Sequence, residues 1–372
     1  MANVYATKNG NWSDATVWNT SALPTSADDV FSNNFTVNVD QNITVLSLRN
    51  TASSPIVAGG SFNFNTAGVT ANVTSISQAA TNFLTVTNTT GTVTLSVSSN
   101  ITAVANQTTL LYSGAGNLNL TSTNIIFPTT SSVAYLNKTG SGTLTINGNL
   151  VMNAINISTG TMYGLQSTIG DVILNGNVIG NTAINASGNS NAIRQTAGNL
   201  TINGNITPDG NTTLSVNRST VFFSGTTLTF NGNTLGGDGA AIITSGTTNV
   251  TGTLRGGNSI YANGTISINI TGDVYAGLQP AINCSAYPTS TVTLTGNMYN
   301  SLGRMAIWCQ NVFISNTATT LWRMDTGGGS YKYLYSADTT PNLPSVSNVR
   351  SGTTFGPALS LTGTMVVASA AN

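Results

Sequence analysis

The sequence predicts an all-β protein, a right-handed parallel β-solenoid, and three observations lead to this prediction. Charged residues make up 5% of the 372 residues, whereas roughly 25% is usual in soluble domains. Glutamate and histidine do not occur and lysine occurs three times, so the strong formers of exposed helices are scarce. A nine-residue phrase recurs twice at intervals of 28 residues, which is typical of a repeat architecture.

The repeated phrase predicts a strand followed by a corner. It spans residues 142–150, 170–178 and 198–206, and looser copies follow at intervals of 20 to 28 residues. Apolar residues alternate within it with Thr, Asn or Ser, which is the pattern of a strand with one buried face. Each copy has glycine at one position, which predicts a corner where φ is positive or the backbone is crowded. These corner glycines are Gly148, Gly176, Gly204, Gly232, Gly252, Gly272 and Gly296.

A second phrase predicts another strand in each repeat. It contains Ala-Ile or Ser-Ile and begins at residues 192, 241, 259, 281 and 306, and fainter strand patterns precede the repeats at residues 92–97 and 117–122. One repeat cannot bury its apolar face alone, but stacked repeats form a continuous core. A propeller blade needs about 40 residues, more than these intervals allow. The right-handed sense follows from the general preference of parallel β crossovers.

Composition divides the chain into three regions. These are an N-terminal cap or attachment segment at residues 1–50, a solenoid at 51–320, and a C-terminal aromatic and loop segment with a small β module at 321–372. The outermost turns of a solenoid present open edges, so distinct capping segments are expected at both ends. Outer positions of stacked turns lie about 4.8 Å apart, which favours hydrogen-bonded Asn and Thr over stacked like charges.

Two terminal stretches resemble known protein families. The opening reads Gly-Asn-Trp-Ser-Asp at residues 10–14, then a second Trp, a Pro turn, Asp-Asp-Val and the alternating "FTVNVD". It resembles the start of β-helical surface proteins of bacteria and phages. Residues 347–365, "SNVRSGTTFGPALSLTGTM", are similar to a short terminal module of phage fibre and other virion proteins, with Asn348 and Met365 where that family has Asp and Leu. The resemblances imply a phage virion surface protein, either a capsid decoration or head fibre, or a tail fibre or spike.

A protein of this kind would be a non-enzymatic structural component of the virion surface, assembled in the host cytoplasm. It would contact other virion proteins of the capsid or tail, form a homotrimer as fibres commonly do, and touch host surface glycans. The formal net charge of zero argues against binding nucleic acid. Membrane insertion is not predicted because no apolar run reaches the ~18 residues of a membrane helix, and the N-terminus lacks the pattern of a secretory signal. A secreted bacterial β-helical adhesin and a polysaccharide-depolymerising tailspike are the alternatives.

The composition offers little catalytic chemistry. The absence of histidine excludes His-activated nucleophiles and His-based metal sites, and no cofactor or metal site is predicted. Polysaccharide-cleaving tailspikes use paired carboxylates, for which the repeats offer Asp171, Asp209, Asp238 and Asp273. Asp273 takes a position held by Asn in other repeats, which predicts a ladder variant. Asp209 and Asp238 would lie near each other on adjacent turns, but their contexts favour turn residues over a hydrolytic pair.

Two cysteines and a group of aromatic residues are the remaining candidates. Cys284 and Cys309 end two copies of the second phrase and should stack on consecutive turns. A disulfide and two thiols both fit a ~4.8 Å spacing, and thiols are favoured because no secretory context is evident. The aromatic residues either contact glycans or a partner or, as we favour, close the end of the solenoid. They are Trp308, Trp322, Tyr331, Tyr333 and Tyr335.

Overall fold

The computed structural model confirms an all-β chain organised as a parallel β-solenoid. It describes residues 3–128, 134–152, 161–180, 189–208, 219–236, 240–277, 279–287, 289–299, 306–309, 311–314, 323–325, 331–333, 335–336, 354–355 and 361–362. Within these residues the helical structure is one short 3₁₀ turn, Ala15–Val17. Handedness and the capping role of the two ends stay predictions.

The strands of the first half of the chain are short, and most have between two and nine residues. In chain order they are β1 (Asn3–Tyr5), β2 (Gly10–Asn11), β3 (Asp29–Phe31), β4 (Thr36–Asn38), β5 (Ile43–Arg49), β6 (Ser61–Phe64), β7 (Thr70–Ser77), β8 (Leu84–Val86), β9 (Thr92–Val97), β10 (Ile101–Thr102), β11 (Leu110–Tyr112), β12 (Asn117–Phe127), β13 (Ala134–Lys138), β14 (Leu144–Met152), β15 (Thr161–Ser167), β16 (Val172–Asn175), β17 (Val178–Ile179) and β18 (Asn189–Gln195).

The second half continues in the same manner. Its strands are β19 (Asn199–Asn203), β20 (Ile206–Thr207), β21 (Ser219–Phe223), β22 (Thr227–Asn231), β23 (Ala240–Thr244), β24 (Thr247–Thr251), β25 (Leu254–Arg255), β26 (Ile260–Ala262), β27 (Ser267–Thr271), β28 (Val274–Tyr275), β29 (Ile282–Asn283), β30 (Thr291–Thr295), β31 (Met298–Tyr299), β32 (Ile307–Trp308), β33 (Asn311–Ile314), β34 (Arg323–Asp325), β35 (Tyr331–Tyr333), β36 (Tyr335–Ser336), β37 (Thr354–Phe355) and β38 (Leu361–Thr362).

Three parallel sheets run along the solenoid. Among the described residues, the first sheet has eighteen strands and holds the repeated phrase in β14, β16 and β19. The second sheet has thirteen strands, from β2 to β32, and holds the Ala-Ile phrase. The third sheet consists of β25, β28 and β31 and follows the corner glycines of the later turns. The chain visits these sheets in rotation, so each strand pairs with its equivalents one turn before and one turn after it.

The register of the first sheet stacks the repeated phrase position on position. Asn147 pairs with Asn175, and the same column continues through each later copy of the phrase. Its further members are Asn203, Asn231, Thr251, Thr271 and Thr295. The fainter patterns at residues 92–97 and 117–122 are also strands of this sheet and pair in parallel. The alignment derived from the sequence is therefore the alignment of the turns.

The corner glycines stack with no room for a side chain. A Cβ atom built on Gly204 would lie 2.2 Å from the carbonyl oxygen of Gly176, the equivalent residue of the preceding turn. For all seven corner glycines that distance, to a carbonyl oxygen of the preceding turn, is between 1.9 and 2.2 Å. Four of them also have positive φ angles of 142 to 152°. Close approach of the backbones therefore requires glycine at all seven corner positions. At four of them the positive φ angle favours glycine as well.

The inner faces of the sheets form one core along the solenoid. A single cluster of buried apolar side chains extends from Val4 to Val312. Strands of the first sheet bury alternate residues, as in β9 and β19, so each turn contributes a few side chains and contacts mainly its neighbours. No separate core divides the described part of the solenoid.

Residues 3–50 already belong to the parallel sheets. β1 pairs with β3, and β3 pairs with β5. Two tryptophans fill the core of this region: Trp12 and Trp18 are 1% and 2% exposed, and their ring centroids lie 4.8 Å apart. The indole Nε1 of Trp18 donates to the carbonyl oxygen of Trp12 at 3.1 Å. No break in the sheets coincides with residue 50, since β5 pairs in turn with β7.

The C-terminal region differs in strand direction. β34 pairs with β35, and β37 pairs with β38, both in antiparallel fashion. β36 is parallel to β33 and extends the first sheet. Among the described strands, antiparallel strand pairs occur only here, in the region that the sequence separates from the solenoid at residue 321.

Candidate functional site

A line of outward-facing side chains on the second sheet is the strongest candidate for a contact surface. We call it the outer column. Each member lies between two core residues of its strand and stacks on its equivalent in the next turn. From the turn of Gln166 onward, its members are Gln166, Arg194, Phe222, Ile243, Tyr261, Asn283 and Trp308. Phe222, Ile243 and Asn283 are buried, and the other four are partly exposed.

Arg194 lies between two aromatic rings in this column. Its guanidinium carbon is 4.9 Å from the ring centroid of Tyr163 and 4.7 Å from that of Phe222. Among the described residues, no acceptor lies within hydrogen-bonding distance of its buried Nη1 atom. A guanidinium between two aromatic rings is attracted to both, which limits the movement of its donor fork.

An apolar cluster follows Arg194 along the outer column. Phe222 and Ile243 are buried together with Ala240, and Tyr261 packs partly exposed against them. These residues are on the outer side of the sheet, so they are separate from the main core. The column therefore changes from amide to cation to apolar and aromatic character over a few turns.

The structure does not gather all the predicted aromatic residues on one strand. Trp308 is partly exposed at the end of the outer column. Tyr331 and Tyr333 are on β35 in an antiparallel hairpin, and Tyr335 is on β36 beside Phe313 in the first sheet. Trp322 lies outside the described residues. The contact role of these residues stays a prediction. Sequence analysis missed Arg194, Phe222 and Tyr261 of the outer column, and Tyr163 beside it.

Hydrogen-bonded amides cover the outer side of the glycine corner. The Nδ2 atom of Asn175 donates to Oδ1 of Asn147 at 2.8 Å, and the next two steps of the column repeat that distance. A second amide column is formed by the residue that directly follows the corner glycine in each turn. Its described members include Asn100, Asn124, Asn149, Asn177, Asn205 and Asn233.

The candidate acids of the repeats accept hydrogen bonds from asparagines of the next turn where they are described. Oδ1 of Asp273 accepts from the backbone and side-chain nitrogens of Asn297 at 2.9 and 3.1 Å. Oδ1 of Asp171 accepts from the same two groups of Asn199 at 2.8 and 3.2 Å. Asp273 is therefore a ladder variant, as predicted. Asp209 and Asp238 lie outside the described residues, so the proposed pair is not placed.

A buried lysine lies inside another corner of the solenoid. Lys138 is fully buried, and its Nζ atom donates to the carbonyl oxygens of Gly140, at 2.7 Å, and of Ile169. Burial lowers the pKa of Lys138 to about 8, and the nearby Asp171 carboxylate opposes that shift. The neighbouring turn has Tyr112 at the same position, and burial raises the pKa of this phenol to about 12. Both side chains satisfy carbonyl groups of the corner.

Lys138 is expected to make folding depend on pH. The ordinary pKa of lysine is 10.5, so between about pH 8 and 10.5 the unfolded chain holds a proton that folded Lys138 has released. The contribution of Lys138 to the free energy of unfolding therefore rises between about pH 8 and 10.5 and is lowest below pH 8. Urea denaturation of the wild type and of Lys138→Met between pH 7 and 10 measures it. The urea midpoint of the wild type should rise with pH relative to the midpoint of the variant. If the two midpoints changed with pH in parallel, Lys138 would not be the source of the pH dependence.

The two cysteines stack on consecutive turns, as expected. Asn283 pairs with Trp308, which places Cys284 beside Cys309. Both are buried thiols, and Sγ of Cys309 donates to the carbonyl oxygen of Ser290 at 3.3 Å. Hydrogen bonding to Cys309 and burial raise the pKa of the Cys284 thiol above its ordinary value. The protonated thiol is the poorer nucleophile and metal ligand.

The intact mass of the purified chain should not change on reduction. A disulfide would add two hydrogens when a reductant opens it, whereas two thiols add none. Mass spectrometry of the denatured chain, with and without a phosphine reductant, distinguishes the two states. A gain of two hydrogens would show that the thiols are bridged in the purified protein.

Other kinds of site have little support in the described part of the chain. No group of three or more Cys or Asp side chains there could hold a metal ion. No described helix has the length and apolar character needed to span a membrane. Comparison with family models, with curated proteins and with solved structures found no match for this chain. Its function is therefore inferred from the solenoid, its amide ladders and the outer column.

Proposed function

We propose that the chain is a non-enzymatic structural protein of a phage virion surface, either a capsid decoration, a head fibre or a tail fibre. A β-solenoid is consistent with a structural or adhesin-like protein. In this role it holds a stiff, neutral surface away from the particle and contacts host glycans through its side. Its partners are other virion proteins and two further copies of itself.

The observation that carries the proposal is the continuous solenoid with amide ladders on its outside. The same hydrogen bond at 2.8 Å recurs over three consecutive steps of one column. Each step joins residues 28 positions apart in the chain, so it ties one turn to the next. A rod tied in this way resists bending and proteolysis, which suits an exposed particle component.

The terminal stretches support the virion part of the proposal. Residues 1–50 and 347–365 are the segments that resemble β-helical surface proteins and the phage fibre module. The antiparallel pair β37 and β38 lies inside the second of these segments. A terminal module with its own strand pairing is suited to attachment, while the solenoid points outward.

Immunogold labelling of purified phage particles and uninfected host cells tests the proposal. We expect gold on the particles, on capsid faces for a decoration or head fibre and at the tail for a fibre. A non-immune antibody on the same grids is the control. Label confined to uninfected cell surfaces would replace the phage proposal with the adhesin alternative.

The depolymerising tailspike is the alternative that involves chemistry. A host polysaccharide incubated with the purified chain should keep its length in gel filtration. Shortening that is abolished by both Asp209→Asn and Asp238→Asn would support a hydrolytic pair. The variant Asp273→Asn is the matched control, because that carboxylate is engaged by Asn297.

A further inference from the structure

We propose that the outer column binds a saccharide carrying a carboxylate, and that Arg194 receives the carboxylate. The inference rests on the proposed contact with glycans and names the class of glycan. It concerns the outward face of the second sheet between Arg194 and Trp308.

The first argument is the uncompensated charge of Arg194. Within the described residues the ion pairs are Lys8 with Asp14 and Arg49 with Asp29, so Arg194 has no carboxylate partner there. Its buried Nη1 atom has no hydrogen-bond acceptor in the part of the chain that the structure describes. The side chain as a whole is partly exposed, so part of it remains open to a ligand.

The second argument is the orientation of that group. The rings of Tyr163 and Phe222 lie 4.9 and 4.7 Å from the guanidinium carbon, which restricts the movement of this group before any ligand arrives. A planar fork of N–H donors matches the two oxygens of a carboxylate in a bidentate geometry. An arginine that is already immobilised loses little conformational freedom on binding.

The third argument is the character of the rest of the outer column. Gln166 precedes Arg194 and is partly exposed, and its amide can bond hydroxyl groups. Tyr261 and Trp308 supply partly exposed aromatic rings, which fit the flat apolar faces of sugar rings. With turns ~4.8 Å apart, Tyr261 lies about 14 Å and Trp308 about 24 Å from Arg194 along the axis. The members between them are buried, so Arg194 and Gln166 form the central part of the surface.

Nucleic acid and acidic peptides fit the column less well. Binding to a phosphate backbone draws on several cations, and Arg194 is the one cationic member of the described column. An acidic peptide has no need for the aromatic rings beyond Arg194. The amide of Gln166, partly exposed rings and one cation together match a saccharide with hydroxyl groups and a carboxylate.

Calorimetric titration of the full-length chain tests the proposal. The probes are tetragalacturonate and sialyllactose, two sources of the same carboxylate chemistry, and each is compared with its carboxyl-reduced form. We expect binding of at least one acidic probe and weakening by about tenfold or more on carboxyl reduction. Equal binding of acidic and reduced probes, or of neither, would overturn the proposal.

Variants of Arg194 place the interaction. Arg194→Met should weaken the acidic probe about tenfold or more, and Arg194→Lys by less, since lysine keeps the charge and loses the fork. Arg255→Met is the matched control: it removes an exposed arginine stacked on Tyr275 at 4.2 Å, and it should change affinity by less than about twofold. Circular dichroism checks that each variant is folded. An unchanged affinity in a folded Arg194→Met protein would overturn the assignment.

Two further outcomes separate this inference from the proposed function. A poly-aspartate peptide that binds more tightly than both saccharides would show that the column is a peptide site. Gold label on virions together with no preference for acidic saccharides would reject this inference and keep the virion proposal. Binding of an acidic saccharide with label on uninfected cells would keep the inference and reject the virion.

Discussion

Gly204→Ala is expected to destabilise the solenoid by about 3 kcal/mol or more, because the added methyl has no space. Its Cβ would lie 2.2 Å from the carbonyl oxygen and 2.5 Å from the carbonyl carbon of Gly176. These atoms belong to backbone held in the first sheet, so they cannot move aside as a flexible side chain would. The change should therefore separate two turns or twist the corner. The urea denaturation midpoint, followed by circular dichroism, measures the loss.

Gly264→Ala is the matched control for this effect. A Cβ at Gly264 would have Ser245 Cβ as its nearest atom, at 3.3 Å, and the φ angle of Gly264 is not among the positive ones. The substitution should leave the midpoint nearly unchanged or raise it slightly, by reducing the freedom of the unfolded chain. If both variants shifted the midpoint alike, crowding at the glycine corner would not be the cause.

Trp12→Ala should cost about 3 to 5 kcal/mol, the range for removing a large buried aromatic side chain. The ring packs edge-on against Trp18 and lies 6.1 Å from the ring of Phe62. Because turns contact mainly their neighbours, the loss should be concentrated near the N-terminal end. Hydrogen exchange read by mass spectrometry should show faster exchange in residues 3–50 than in the middle of the solenoid.

Two variants sharpen the tryptophan experiment. Trp12→Phe keeps an aromatic ring in the same space and should lose much less stability than the alanine variant. Val57→Ala truncates a side chain that is 58% exposed and should leave exchange unchanged. Uniform exchange along the chain in Trp12→Ala would mean that the whole solenoid unfolds as one unit.

The repeated phrases made the solenoid predictable from the sequence. The Asn-Gly pair returns at intervals of 28 residues, and the structure pairs Asn147 with Asn175 and Asn175 with Asn203. The Ala-Ile phrase marks the strands of the second sheet less completely, because one turn lacks it. Val221 pairs with Ile193 in the second sheet, but Val-Phe-Phe stands there in place of an Ala-Ile phrase. The strand at that turn keeps its place in the sheet, although its side chains differ from those of the repeated phrase.

The polar residues of the interior could not be recognised from alternation. Lys138, Gln195 and Thr244 take inward positions on every second strand of the second sheet, on β13, β18 and β23, where the pattern predicts apolar residues. The reason is local: their polar atoms bond carbonyl groups of the adjoining corner, as Gln195 Nε2 does with Ala197 at 2.8 Å. Buried carbonyl groups need donors, and the sequence alone does not show which backbone groups a corner leaves without one.

The arginine of the outer column was missed for a different reason. Alternation places Arg194 on the outer side of its strand, since its neighbours Ile193 and Gln195 are buried. Its partners come from the turns on either side, Tyr163 from one and Phe222 from the other. Recognising them requires the register of three consecutive turns, and the intervals between these residues, 31 and 28 positions, are not equal.

The amide ladders give the solenoid an electrical direction. In each described amide pair the later residue donates and the earlier one accepts, as Asn63 does to Asn38 and Asn203 does to Asn175. Side-chain dipoles arranged head to tail in this way add along the axis, as peptide dipoles do in a helix. The formal net charge is zero, yet the positive pole of each ladder faces the N-terminal turns and the negative pole faces the C-terminal turns. A neutral rod of this kind can thus have a preferred end toward a charged surface without any ionised side chain.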